Sequence, residues 1–272
     1  MKAIRQQVQS SLSDRQRAAV ATAYWTTKWR RPCTVKPVEG LFRFDCRAEG
    51  ITVYSPSIGG LGRNSLVDTP MAFCRGYLPQ RGDIVVDLGA GIGTESLLFS
   101  HLVGRQGMVI SVEAGPTPYR ALQRTLAAEG AENVKTYQVA VGNRHGTVHF
   151  PDETDEWRAA AIQDSSSGIA VTMKPLHSIL GDADIRDNNV ALLKCNIEGA
   201  EVAALEGLAE YARRIDHMAI SCHDFLAQRN GEAGLRTNVP VRDWLRDNGY
   251  TTFDFPNRLP WLADIVYASR VG

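Results

Sequence analysis

The chain has no excess of charge of either sign: thirty Lys and Arg residues balance thirty Asp and Glu across 272 residues. A balanced surface has no general attraction for nucleic acid or an anionic membrane, so neither is expected as a partner. Cysteine is scarce. The five present (Cys33, Cys46, Cys74, Cys195 and Cys222) include no CxxC pair, which argues against a structural zinc site and a disulfide framework and for a reducing, cytoplasmic setting. No apolar run approaches the roughly 20 residues of a membrane span. The opening "MKAIRQQVQSSLSDRQR" also lacks the apolar stretch of a secretion signal. Internal repeats and low-complexity segments are missing too. What remains is a globular composition, 44% hydrophobic and 22% charged, sufficient for a substantial core.

The first segment reads as a helix running to about Pro32. Ser13 can cap it, and Ala18, Ala19, Val20, Ala23, Tyr24 and Trp29 give it an apolar side. Trp25 and Trp29 stand beside basic residues in "WTTKWRRP". That pattern suits a helix packed on its own domain or on a second subunit in a homodimer; a membrane-surface helix is the alternative. A hairpin is expected from Phe42 to Tyr54, turning at Glu49-Gly50, then a glycine-rich loop and a short helix ending near Pro79.

From "DIVVDLG" onward, strands and helices alternate. "TESLLFSHLV" and "TPYRALQRTLAAEG" read as helices, and "GMVISVEA", "NVKTYQVAVG", "NNVALLKCNIEG" and "IDHMAISCHDF" as strands. Such alternation specifies a parallel sheet covered on both faces. "TTFDF" and "ADIVYASR" lack a full helix between them and suggest an antiparallel edge hairpin. The expected fold is α/β: a doubly wound, mostly parallel, Rossmann-like sheet at residues 80–272, with an N-terminal extension at residues 1–79.

Ligands of such sheets bind beyond the carboxyl ends of the strands, which directs attention to "VVDLGAGIGTES". Gly89, Gly91 and Gly93, with Ala90 between the first two, form GxGxG. The dinucleotide fingerprint GxGxxG would need glycine where Thr94 stands. Asp87, two residues before the first glycine, would repel a pyrophosphate and attract an amino group or a sulfonium. S-adenosylmethionine (SAM) carries both. Glu113, at the end of the next strand, can accept hydrogen bonds from two ribose hydroxyls. The helix N-terminus near Thr94 can hold the methionyl carboxylate. SAM is therefore the expected cofactor, and a NAD-dependent oxidoreductase is the rival reading.

"DIVVDLGAGIG", "MVISVEAGPTPYRALQRTLAAEGAENVKTYQVAVGN" and "ALLKCNIEGAE" together resemble the FkbM family of SAM-dependent O-methyltransferases over roughly Gly82 to Phe225. The resemblance implies the seven-stranded class I methyltransferase fold and methylation of hydroxyl groups of sugars, polyketides and related natural products. It also implies that Asp87, Gly89, Gly91 and Gly93 line the methionine part, that Glu113 takes the ribose, and that Ala140 and Val141 flank the adenine. One departure stands out: Asn196 occupies a position where the family usually has aspartate. That change keeps open a non-catalytic SAM-fold partner subunit.

Methyl transfer to an alcohol needs a base at hydrogen-bond distance or a divalent cation that lowers the hydroxyl pKa. The candidates after one strand are Lys194, Asn196 and Glu198; after the next they are His223 and Asp224. Glu198 alternatively favours the dipole of the following helix. His223 is the natural base near neutral pH, and Asp224 either orients it or caps the next segment. Asn196, Glu198, His223 and Asp224 are the tentative ligands if magnesium or another divalent cation is used. "PDETDEWR", with Trp157, suits stacking on a sugar or is a solvated loop. The expectation is thus O-methylation of a small hydroxyl-bearing acceptor. A sugar or oligosaccharide is favoured, as in polysaccharide biosynthesis, with a polyketide or other secondary metabolite as the alternative.

Overall fold

The structure is a computed structural model describing residues 12–30, 32–46, 50–59, 66, 68–150, 168–185, 187–224, 227, 236–257 and 259–271. Helix α1 (Asp14–Trp29) begins at Ser13 with a capping box closed by Gln16, a reciprocal arrangement that satisfies two otherwise orphaned donors. It packs on a three-stranded antiparallel sheet of β1 (Cys33–Val38), β2 (Leu41–Cys46) and β3 (Ile51–Ser55). Thr22 and Thr26 tie it to the backbone of Val35 and Cys33. The expected hairpin is β2–β3. Strand β1 was not anticipated from sequence, because Pro37 interrupts its pattern; proline is tolerated where a strand lies at an edge, and β1 does. Trp25 is buried, and its Nε1 donates to the Ile58 carbonyl at 3.1 Å, so this tryptophan packs within its own chain.

After α2 (Thr69–Phe73) comes the main alternation: β4 (Ile84–Leu88), α3 (Thr94–Val103), β5 (Met108–Val112), α4 (Pro116–Ala128) and β6 (Val134–Tyr137). Then follow β7 (Ala140–Gly142), β8 (Gly146–Phe150), β9 (Ile169–Pro175), α5 (Leu176–Asp182), β10 (Val190–Cys195) and α6 (Glu201–Glu206). A 3-10 turn (Ala209–Arg214), β11 (Ile215–Ser221), α7 (Asn238–Asp247), β12 (Tyr250–Phe253), α8 (Pro260–Ala263) and β13 (Ile265–Arg270) complete the order. The main sheet has seven strands in the order β12-β13-β11-β10-β4-β5-β6. β10 pairs in parallel with β4 and β11, while β13 runs antiparallel between β11 and β12. The closing hairpin is therefore at the edge as expected, but its second strand is interior.

Side chains alternate across the sheet with period two, and both faces are covered. Val85, Val109, Leu192 and Ala219 join Phe99 and Val103 of α3 on one face. Val86, Ile110, Leu193 and Met218 meet α5, α6 and α7 on the other. "NVKTYQVAVG", expected as one strand, is divided: β6 closes the main sheet, while β7 pairs with β9 in a second three-stranded sheet, β7-β9-β8. The N-terminal sheet shares its apolar core with Ile92 and Ala121, and the amide of Tyr54 donates to Thr125 Oγ1 at 2.9 Å. The extension thus packs directly on the glycine loop's side of the main domain. Residues 151–167, which carry Trp157, lie outside the described residues.

Candidate active site

The glycine loop turns because Gly89, Gly91 and Gly93 take φ values of +72°, +56° and +93°, a region costly for residues with a Cβ. The amides of Gly89 and Ala90 donate to the Val112 carbonyl at 2.9 and 3.0 Å, which anchors the loop to the end of β5. It leads into the ten-residue α3, whose first-turn N–H groups have no intrahelical acceptor. They are suited to a carboxylate.

Glu113 stands where the sequence placed it. Its Oε2 accepts from the Gly91 amide and its Oε1 from the Gly115 amide, both at 2.8 Å. Each oxygen keeps lone-pair capacity for a hydroxyl donor. Burial pushes its carboxyl up to about 7, against the lowering effect of those two amides. A fixed, two-pronged acceptor beside a positive-φ glycine loop fits the ribose and methionyl parts of SAM.

Asp87 is elsewhere than the surface of the loop. It is fully buried, and in register it lies beside Lys194 on one neighbouring strand and Ser111 on the other. Directly opposed side chains on adjacent strands interact strongly. Here Lys194 Nζ sits 2.8 Å from Asp87 Oδ1. Ser96 of α3 donates to Asp87 Oδ2 at 2.6 Å and is itself reached by Ser111 at 2.8 Å. Lys194 Nζ also donates to the carbonyls of Leu88 and Gly89, at 3.2 and 2.9 Å. The aspartate therefore acts on the loop from below, through a lysine the sequence showed only as an acceptor-side candidate. Ser96 and Ser111 gave no signal, since their register partners become visible only once the strands are aligned.

Ala140 and Val141 are both buried in β7. Val141 faces the main core, and Ala140 contributes to a small cluster with Phe150 and Val171.

On the acceptor side, Asn196 and Glu198 follow β10, and His223 follows β11. The Asn196 amide donates to the Leu88 carbonyl at 3.0 Å, and Asn196 and Ile197 are the residues a Cβ on Gly89 would strike. The strand-end segment that carries Glu198 therefore abuts the glycine loop. His223 is 3% exposed. Its Nε2 is 3.4 Å from Glu198 Oε2 and its Nδ1 3.1 Å from Glu201 Oε1. Burial acts to lower its pKa, but the two carboxylates outweigh it and raise the imidazole to about 10. Held between these two acceptors, the ring is placed to donate from both nitrogens.

Asp224 does not orient His223. Its Oδ1 accepts from the amides of Thr237 and Asn238, both at 2.9 Å, and so caps α7, the second of the two roles considered for it. Glu201 takes the orienting position instead. In the sequence Glu201 is simply an acid in a helix's first turn, where the helix dipole favours it whatever its function. Among the described residues, no group of three or more His, Cys, Asp or Glu side chains is placed to hold a metal ion.

Seven strands with an antiparallel seventh, a GxGxG loop after the first and an acidic residue ending the second define a class I methyltransferase with a site for SAM. The family model of the methyltransferase FkbM domain matches residues 87–252, more than half of the 272-residue chain, and the chain belongs to that family. Among solved structures it is similar to methyltransferase FkbM from Methylobacillus flagellatus, with 18% identity and a TM-score of 0.44. That match covers 69% of this chain but 43% of the other, so this chain spans less than half of that relative's length. It is also similar to precorrin-6y C5,15-methyltransferase from Geobacter metallireducens (12% identity, TM-score 0.47, covering 78% of this chain and 93% of that one). Aeropyrum pernix fibrillarin, solved with bound SAM, matches at 14% identity and a TM-score of 0.44, covering 86% and 97% of the two chains. A search of curated proteins gives no match.

Proposed function

We propose that the chain is a SAM-dependent O-methyltransferase that places a methyl group on a hydroxyl of a sugar or oligosaccharide. The observation that carries this reading is the abutment of two built features. One is the glycine loop with Glu113; the other is Glu198, a carboxylate 22% exposed and braced by a buried histidine. SAM, when bound, supplies an electrophilic methyl group on a sulfonium. The amides at the start of α3 would hold its carboxylate and Glu113 its ribose hydroxyls. The chain's remaining work is to align an acceptor oxygen and accept its proton.

Glu198 is the group for that proton. It follows the segment that touches the loop and is the open end of a chain of three ionisable groups. His223 donates to it and keeps its carboxylate in one orientation. Glu198 would accept the acceptor's proton on a carboxylate oxygen as the acceptor oxygen bonds to the methyl carbon and the carbon–sulfur bond breaks, S-adenosylhomocysteine being the leaving group. The preference for a sugar rests on the family resemblance. Cys74, Cys195 and Cys222 are free and buried. Among the described residues no helix is long and apolar enough to cross a membrane.

The test is incubation with SAM carrying a carbon-13 methyl group and a panel of methyl glycosides. The expected product shows a methoxy carbon by NMR. Label found only on nitrogen, sulfur or carbon would contradict the proposal.

A further inference from the structure

We propose that Glu201 is a positioning residue for methyl transfer: acting through His223, it fixes the Glu198 carboxylate that meets the acceptor hydroxyl. The inference rests on the proposed reaction and extends it to a residue that never touches substrate. Glu201 opens α6 and is fully buried. One of its oxygens, Oε1, accepts from the Gly199 amide at 3.0 Å and lies 3.1 Å from His223 Nδ1. The other, Oε2, is buried with no hydrogen-bond partner among the described residues. A carboxylate half-satisfied in this way is a poor choice for stability alone, since burying charge is costly unless it is well paired. Its positive partner is His223, so its effect is felt there.

The geometry makes the linkage directional. An imidazole placed between two carboxylates donates to both only when both nitrogens bear protons. Two negative charges and one positive leave a net negative charge. Of the two carboxylates, Glu201 is sealed in the core and Glu198 is the one with an exposed side. The net charge is thus presented at Glu198, next to the loop that Asn196 and Ile197 contact. Glu198 also adopts φ +54°, followed by Gly199 at +101°. Such a backbone for a non-glycine residue persists only when its surroundings hold it. The hydrogen bond from the Gly199 amide to Glu201 is one such restraint. Glu201 therefore holds Glu198 twice: through the imidazole and through the turn that joins them.

The Glu201→Gln variant keeps the side chain's size and its acceptor oxygen but removes the charge. It is expected to leave SAM affinity and the KM for the methyl glycoside unchanged, and to lower kcat by about 10- to 100-fold, less than the roughly 100- to 10,000-fold contributed by an acid-base group itself. His223→Asn should show a fall at least as large. The deciding measurement is the double variant, because residues acting through one path are not additive. Glu201→Gln added to His223→Asn is expected to lower kcat no further. Effects that multiply would overturn the proposal and leave Glu201 as a structural acid. Nitrogen-15 NMR of wild type with bound S-adenosylhomocysteine supplies a readout independent of turnover. Both His223 nitrogens should be protonated at pH 8, and a neutral ring there would also overturn the proposal. Wild type that binds SAM yet methylates no hydroxyl would instead defeat the proposed reaction itself, so the two failures are distinguishable.

Discussion

Lys194→Met is expected to destabilise the fold by about 3–5 kcal/mol, the scale set by stranding one partner of a buried ion pair. Lys194 and Asp87 have side-chain exposures of 1% and 0%, and their charged atoms are 2.8 Å apart. Methionine is close to lysine in length, so little cavity is created. What is lost is the positive charge and the donors to the Leu88 and Gly89 carbonyls. Asp87 would keep Ser96 as a partner but would lose the opposite charge that compensates its burial. Guanidinium unfolding measures the loss. Adding Asp87→Asn removes the stranded charge and should recover much of the stability, since close pairs are non-additive. SAM affinity should stay weakened in the double variant, because the loop carbonyls still lack their donor. A double variant less stable than either single change would contradict the assigned pairing.

The second large effect is expected from Gly89→Ala. Two penalties coincide at this position. Its φ of +72° disfavours any Cβ, and an added Cβ would lie 2.0 Å from the Asn196 carbonyl oxygen and 2.9 Å from its carbon, both backbone atoms. Neither can rotate aside, so the glycine loop and the acceptor-side turn after β10 must separate. Gly130→Ala separates the two causes. Gly130 has φ +63° but nothing within 4 Å of a new Cβ, so it should lose only about 1–2 kcal/mol of stability from backbone strain and bind SAM normally. Gly89→Ala should lose more stability and weaken SAM binding by at least about 1.4 kcal/mol, a factor of ten. Equal behaviour of the two variants in unfolding and SAM titrations would remove the contact with Asn196 from the account.

The parts of this architecture that could be read directly from sequence are those governed by local rules. Helix α3 begins at Thr94 and ends at Val103, where a glycine loop before it and Gly104 after it leave few alternatives. The main-sheet strands announce themselves as apolar runs because both faces are covered. Glu113 was legible for the same reason: it ends a strand at a fixed distance from the glycine loop. Non-local relations were the ones concealed. Asp87 has the look of a ligand-facing charge until register places Lys194 beside it and burial closes it off. His223 next to Asp224 suggests a base and its orienting acid. In the fold, the chain turns so that Asp224 caps α7 while Glu201, 22 residues earlier, meets the imidazole. The division of "NVKTYQVAVG" between two sheets was hidden likewise, since no turn residue marks the break at Gln138-Val139.

The measurement that bears most directly on the central claim is calorimetric titration of the intact chain with SAM, with S-adenosylhomocysteine, and with NAD in parallel. The account predicts saturable binding of both sulfur ligands and no heat from NAD. Binding of NAD, with silence from SAM and S-adenosylhomocysteine, would contradict it.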